Sequence, residues 1–361
     1  MRGMTAAAAP SAADFRARLG LDIPLIQAPM AGVQGGALAN AVAGAGALGS
    51  LPGAAMSPQA LRDAVAALRA EHPGAPVNLN FFSHATPAPD PAREAAWRAA
   101  LRPYYDELGV DPGTIPDGPG RLPFGEDALA VVEALRPQVV SFHFGLPSPE
   151  LVARVRAAGA QVWSSATTVD EAVWLAARGV DAVIAQGAEA GGHRGVFLGE
   201  GALALATQVG TMALLPQVVA AVRVPVIAAG GIADAAGVAA AMRLGACAVQ
   251  VGTSFLLCPE STTSAVHRAA LQSAAARETV LTNLFTGRPA RGILNRLMRE
   301  LGPMSDVVPA FPTAVNALTP LRAAAEQAGS GDFSPLWAGQ NTSGCRAAPA
   351  AQVVAALAEG F

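Results

Sequence analysis

The stretch DAVIAQGAEAGGHRGVF, Asp181 to Phe197, joins a short apolar run to a glycine-rich loop. Val183 to Ala185 reads as a strand buried on both faces of a parallel sheet, because no polar residue alternates with the apolar ones. In the loop, Gly187, Gly191, Gly192 and Gly195 permit backbone angles closed to other residues, and with no Cβ they let a flat ligand lie against the main chain. His193 stands among them, placed to exchange a proton with something bound over the loop. Taken alone, a turn carrying a surface histidine is an equal reading.

Working outward, the same strand-then-helix unit recurs. Apolar runs at Ile23–Ala28, Ala47–Leu51, Pro76–Phe82, Val139–Gly145, Gln161–Ala166, Ala182–Gln186, Val224–Ala229 and Ala248–Gly252 alternate with helical patterns, of which Ser57-Pro58 and Ser148-Pro149 are typical openings. Eight strands with connections too long for hairpins predict a (β/α)8 TIM barrel over 21–260, not an open doubly wound sheet. Residues 83–125 interrupt the alternation after the third strand as a Pro-rich insertion whose one helix carries Trp97, Tyr104 and Tyr105, and it reads as a lid or wall. An Ala-rich N-terminus, 1–20, is expected to be disordered apart from about one helical turn at Phe15–Leu19. Residues 261–361 read as a mostly helical accessory extension at the barrel mouth.

Composition excludes several classes. A formal net charge of -3 without a basic tract gives no electrostatic case for nucleic acid or a membrane surface, and no run stays apolar long enough to span a bilayer. All 24 basic residues are arginine, so Schiff-base chemistry on lysine is excluded. Cys247, Cys258 and Cys345 are three and widely spaced, which argues against a disulfide framework and for a reducing cytoplasm. No His or carboxylate cluster has metal-ligand spacing.

Function in such barrels gathers at the C-terminal strand ends, with phosphate commonly held after the last two strands. Here those positions carry AGGIAD (Ala229–Asp234) and QVGTS (Gln250–Ser254), whose glycine amides and threonine hydroxyl suit a phosphate without a lysine. A phosphate anchor beside the glycine shelf suggests a planar phosphorylated cofactor, for which FMN is the natural fit. Ordinary βα turns are the plainer alternative. Glu189 could orient the imidazole, bind ribityl hydroxyls or be solvated, and Arg194 could bind an anion or be a solvated loop residue. His143 and His84 are pocket candidates or satisfied core histidines, and Cys258 reads as inert packing.

QAPMAG (Gln27–Gly32), SFHFG (Ser141–Gly145), GAEAGGHRG (Gly187–Gly195) and VGTSF (Val251–Phe255) together resemble the nitronate monooxygenases, and FTGRPARGI (Phe285–Ile293) and LWAGQ (Leu336–Gln340) extend the likeness over Ile23–Gln340. The resemblance implies an FMN-containing barrel that oxidises alkyl nitronates with O2 to a carbonyl compound and nitrite. Carried over by position, Met30, Asn78, Gln186, Gly191, Gly192, Gly230, Gly231, Gln250, Val251, Gly252 and Thr253 would hold the flavin, and His193 would be the base. Ser254 departs from the arginine of the family pattern, which leaves backbone amides to grip the phosphate. The rival readings are an FMN-dependent enoyl-acyl carrier protein or quinone reductase using NAD(P)H, and a flavin-free phosphate-binding barrel. A homodimer is a further expectation.

Overall fold

In a computed structural model that describes residues 11–115, 118, 120–199 and 201–361, the strands close into the expected barrel. Strands β1 (Leu25–Gln27), β2 (Gly49–Leu51), β3 (Val77–Phe82), β4 (Val139–His143), β5 (Gln161–Ala166) and β6 (Ala182–Gln186) pair in sequence order. The short β7 (Gly192–His193) leaves the barrel, and β8 (Val226–Ala229) and β9 (Ala248–Val251) complete it. Every barrel pair is parallel: β9 returns to β1 through Leu25–Val249 register, and a bridge between Ile26 and Leu48 closes β1 on β2. Helices start where the sequence provides caps. Ser57 Oγ accepts from Ala60 N with Pro58 in the first turn, and Ser148 and Pro149 do the same for the helix Pro149–Ala157.

The expected disorder over 1–20 is corrected for its described part, while 1–10 lie outside the described residues. Ala12–Leu19 is a helix, because Ser11 and Asp14 form a reciprocal capping box and Gly20, at φ +67°, ends it. Phe15 and Leu19, one turn apart, bury against Ile26, Leu48, Trp163 and Ile227 inside the barrel, with the Phe15 and Trp163 rings 5.5 Å apart. An Ala-rich tail with one apolar face thus has a place to dock.

The C-terminal extension contains helices Ala265–Leu271, Arg296–Leu301, Val315–Gln327 and Ala350–Ala358. It also carries a hairpin that the sequence did not disclose, β10 (Thr279–Thr282) with β11 (Ala290–Ile293), and β11 pairs antiparallel with β7 through Ala290–His193 and Arg291–Gly192. The insertion helix Pro91–Leu108 packs on this extension: Trp97 Nε1 donates to Ala314 O at 3.2 Å, the Tyr105 hydroxyl donates to Ala317 O, and Leu101 and Tyr104 join Leu318, Leu321 and Phe333 in one apolar cluster. The last helix does otherwise. Val353, Val354 and Leu357 share the main barrel core with Leu38 and Val238. Among the described residues no helix is long and apolar enough to cross a membrane.

Candidate functional site

Insertion, extension and C-terminal strand ends enclose a cavity of about 530 Å³, a size suited to a cofactor with a small substrate. Met30, Gln186, Gly191, Gly192, His193, Gly230, Gly231, Gln250, Val251, Gly252 and Thr253 all line it. Asn78 does not reach it. That side chain is buried, its Nδ2 donates to Ser50 Oγ at 3.0 Å and its Oδ1 has no partner among the described residues, while Asn80, two residues on along the same strand face, lines the wall instead.

His193 occupies an aromatic box. Ring centroids of Phe311, Phe144, Trp337 and Phe82 lie 5.4, 5.8, 5.9 and 6.0 Å from its own. Its Nε2 is 2.9 Å from Thr286 Oγ1, whose hydroxyl also lies 3.2 Å from Arg288 O. A carbonyl can only accept, so the group is satisfied in full when Thr286 donates to Arg288 O and accepts from His193 Nε2–H. That leaves Nδ1, which has no protein partner among the described residues, as the ring's basic atom. Burial pushes the His193 pKa well below the ordinary value, and Arg121, His143, Arg288 and His84 lower it further. The imidazole is neutral at pH 7.

Beneath it, His143 is half-buried, and desolvation is the chief cause that lowers its pKa to about 4. Its Nε2 contacts His193 O at 3.1 Å and its Nδ1 meets Ser165 Oγ at 2.9 Å, so His143 braces the glycine-rich loop from below. Gln186 Nε2 donates to the same His193 carbonyl at 2.9 Å, and its Oε1 accepts from Gly195 N at 2.8 Å. Phe144 holds a positive φ of 71°, a costly angle for an aromatic residue. The ring so aimed faces His193, with the Arg288 guanidinium 4.0 Å from its centre.

Three readings of the loop are corrected by its packing. Arg194 is not solvated and does not line the cavity: it is 2% exposed, Nη1 donates to Gln186 O and Gly187 O at 3.1 and 2.6 Å, Nη2 is buried with no hydrogen-bond partner among the described residues, and burial lowers its pKa to about 10. Glu189 does not touch the imidazole. Its carboxylate accepts from Thr211 N at 2.8 Å and Thr211 Oγ1 at 2.8 Å, capping the helix Thr211–Ala221. Of the loop glycines, Gly187 and Gly191 make room for protein: a Cβ would stand 1.9 Å from Thr211 Oγ1 at Gly187 and 2.5 Å from Gly339 N at Gly191. Only at Gly192, with φ +71° and nothing within 4 Å of a built Cβ, does the missing side chain open onto space.

At the other end, Gly230 and Gly231 hold φ of +115° and +74°, which turns their backbone out of strand β8 toward the cavity. Thr253 Oγ1 accepts from Gly339 N at 3.0 Å, leaving its own hydrogen to donate. Ser254 is buried, unpartnered at Oγ and outside the cavity lining. Gln250 Oε1 is, like Ser254 Oγ, buried without a partner among the described residues, and Gln250 lines the wall.

Sequence reasoning missed Thr286, Trp337, Phe311 and Arg121, all but Phe311 lining the cavity. Thr286 and Trp337 sat inside quoted motifs without a role. Tyr104 and Tyr105 belong to the insertion–extension cluster instead of the cavity, their pKa values pushed up to about 12 mainly by burial. Cys258 is buried, with its thiol raised to about 12 by desolvation. Among the described residues no group of His, Cys, Asp or Glu is arranged to hold a metal.

A family model described as nitronate monooxygenase matches residues 15–360. A protein of Pseudomonas aeruginosa named nitronate monooxygenase is 43% identical over 356 residues, 96% of this chain and 98% of that one. One of the same name from Paraburkholderia phytofirmans is 43% identical, over 94% and 92% of the two chains. Among solved structures, a nitroalkane oxidase from Streptomyces ansochromogenes superposes with TM-score 0.84 at 39% identity, covering 94% of this chain and 95% of its own. FabK from Thermotoga maritima superposes with TM-score 0.67 at 27% identity, over 96% and 94%.

Proposed function

The chain belongs to the nitronate monooxygenase family, and from that premise we propose that it binds FMN and oxidises alkyl nitronates, and nitroalkanes after proton loss, with O2 to a carbonyl compound and nitrite. The observation that carries this reading is a cavity-lining, neutral His193 whose Nε2 is held by Thr286, so that Nδ1 is left without a protein partner among the described residues. The solved nitroalkane oxidase supports oxidation over the reductase alternatives.

The residues present fit the flavin. Gly230, Gly231, Gly252 and Thr253 offer a glycine turn and a free hydroxyl hydrogen for its phosphate, and the orphaned Gln250 Oε1 is an acceptor waiting for a donor. Met30, Gln186, Gly191, Gly192 and Val251 would flank its ring. Asn78 lies behind the wall, so its buried Oδ1 would need the wall to open before it touched the cofactor. FMN supplies the electron acceptor when bound.

His193 Nδ1 takes the α-proton of a neutral nitroalkane, and the low pKa keeps that nitrogen unprotonated and available. A nitronate arrives without that proton, so His193 then serves to position the anion. Phe82, Phe144, Phe311 and Trp337 keep bulk water from the imidazole. Replacing Thr286 with valine removes the partner that fixes the ring, and kcat for nitroethane should fall about 10-fold with KM little changed, while ethyl nitronate is affected less. Nitrite and carbonyl formation from ethyl nitronate under air tests the reading as a whole, and their absence with FMN bound would overturn it.

A further inference from the structure

We propose that Arg121, at the end of the insertion, is the anion anchor of this cavity, gripping a planar two-oxygen anion on the substrate. The inference rests on the nitronate reading and deepens it.

Among the described residues two arginines line the cavity, Arg121 and Arg322. Arg322 Nε lies 2.7 Å from Glu326 Oε1 and is already paired. Arg121 has no carboxylate within ion-pair distance among the described residues, and its one recorded side-chain contact is with the Phe82 ring, whose centre is 5.8 Å from the guanidinium carbon. A cation withdrawn from water without a counter-ion is costly, and a bound anion would remove that cost. Phe82 also lies 6.0 Å from the His193 ring, so the cation and the base flank one aromatic wall. The backbone of the arginine is fixed: His84 Nε2 meets Arg121 O at 3.1 Å, and the His84 ring packs on Phe311 at 4.7 Å. The fork of a guanidinium matches two coplanar oxygens, as found in both a nitronate and a carboxylate.

The test compares wild type, Arg121→Gln and Arg121→Lys, each loaded with FMN, on neutral nitroethane, ethyl nitronate and propionate 3-nitronate. Arg121→Gln should raise KM for the anions about 10- to 100-fold, leave KM for the neutral nitroethane within about twofold, and be partly rescued by lysine. Equal KM increases for both nitronates place the nitronate group on Arg121; an increase confined to propionate 3-nitronate places the tail carboxylate there. Calorimetric titration with nitrate, a planar anion that is not turned over, should show binding to wild type that Arg121→Gln loses, whether or not nitronates prove to be substrates. The acid limb of nitroethane turnover should move to higher pH in Arg121→Gln, since His193 then faces His143, Arg288 and His84 without the arginine. Unchanged KM for both anions with nitrate binding retained, or KM increases as large for nitroethane as for the anions, would overturn the assignment.

Discussion

Replacing His193 with alanine should lower kcat/KM for nitroethane by about 10²- to 10⁴-fold, the range a positioned general base contributes. Ethyl nitronate should lose less than about 10-fold, because no proton has to be removed from it. The difference follows from protonation state. Burial, reinforced by Arg121, His143, Arg288 and His84, holds the His193 pKa well below 6.5. A lowered pKa means that the neutral base persists as pH falls through 6.5 and is lost only at the lower folded value. Wild-type turnover of nitroethane should therefore hold its rate constant for proton abstraction through pH 6.5 and lose it only as pH falls through the lower folded pKa. Equal losses on both substrates in the alanine variant would contradict the role given to His193.

Glu171 should prove the most sensitive carboxylate for stability. It is fully buried, and its two oxygens accept from Thr167 N at 2.6 Å, Thr167 Oγ1 at 2.8 Å, Phe197 N at 2.6 Å and Leu198 N at 3.1 Å. One side chain thus ties the end of β5 to the segment that follows the glycine-rich loop. Alanine at this position leaves two buried donors on Thr167 and two part-buried amides at Phe197 and Leu198 without their acceptor, and an unmet buried donor costs about 1–3 kcal/mol before relaxation and water entry. A net loss of roughly 3–5 kcal/mol is expected in denaturant unfolding. Glutamine keeps one oxygen and turns an NH2 group toward the other donors, so Glu171→Gln should fall between wild type and alanine. A loss within about 0.5 kcal/mol, the ordinary range of surface changes, would contradict this account of the loop.

What the sequence disclosed and what it hid divide along the range of the interactions. Strand boundaries such as Gln161–Ala166 and Ala182–Gln186 are marked by local apolar runs, and the structure places both there. Glycines at 230, 231 and 252 stand at strand ends, where a barrel presents its ligand face, and they line the cavity. The pairing of β11 with β7 joins segments far apart in the chain, and nothing in either announces the other. Thr286 is chemically silent until that hairpin carries its hydroxyl to His193. Glycine was ambiguous in a different way: it signals that something comes close, without saying whether that is ligand or protein, and at Gly187 and Gly191 it is Thr211 and Gly339. For Arg194 and Glu189 the sequence left binding and solvated readings open, because a charge in a glycine loop suits either; their partners are the backbone carbonyls and helix N-terminus that the loop itself brings near.

The most direct measurement is oxygen uptake by the FMN-loaded protein when propionate 3-nitronate is added with no nicotinamide cofactor present. Rapid uptake with nitrite release is the result expected here. No uptake, with flavin reduction appearing only on addition of NADH or NADPH, would contradict it and assign the cavity to a reductase.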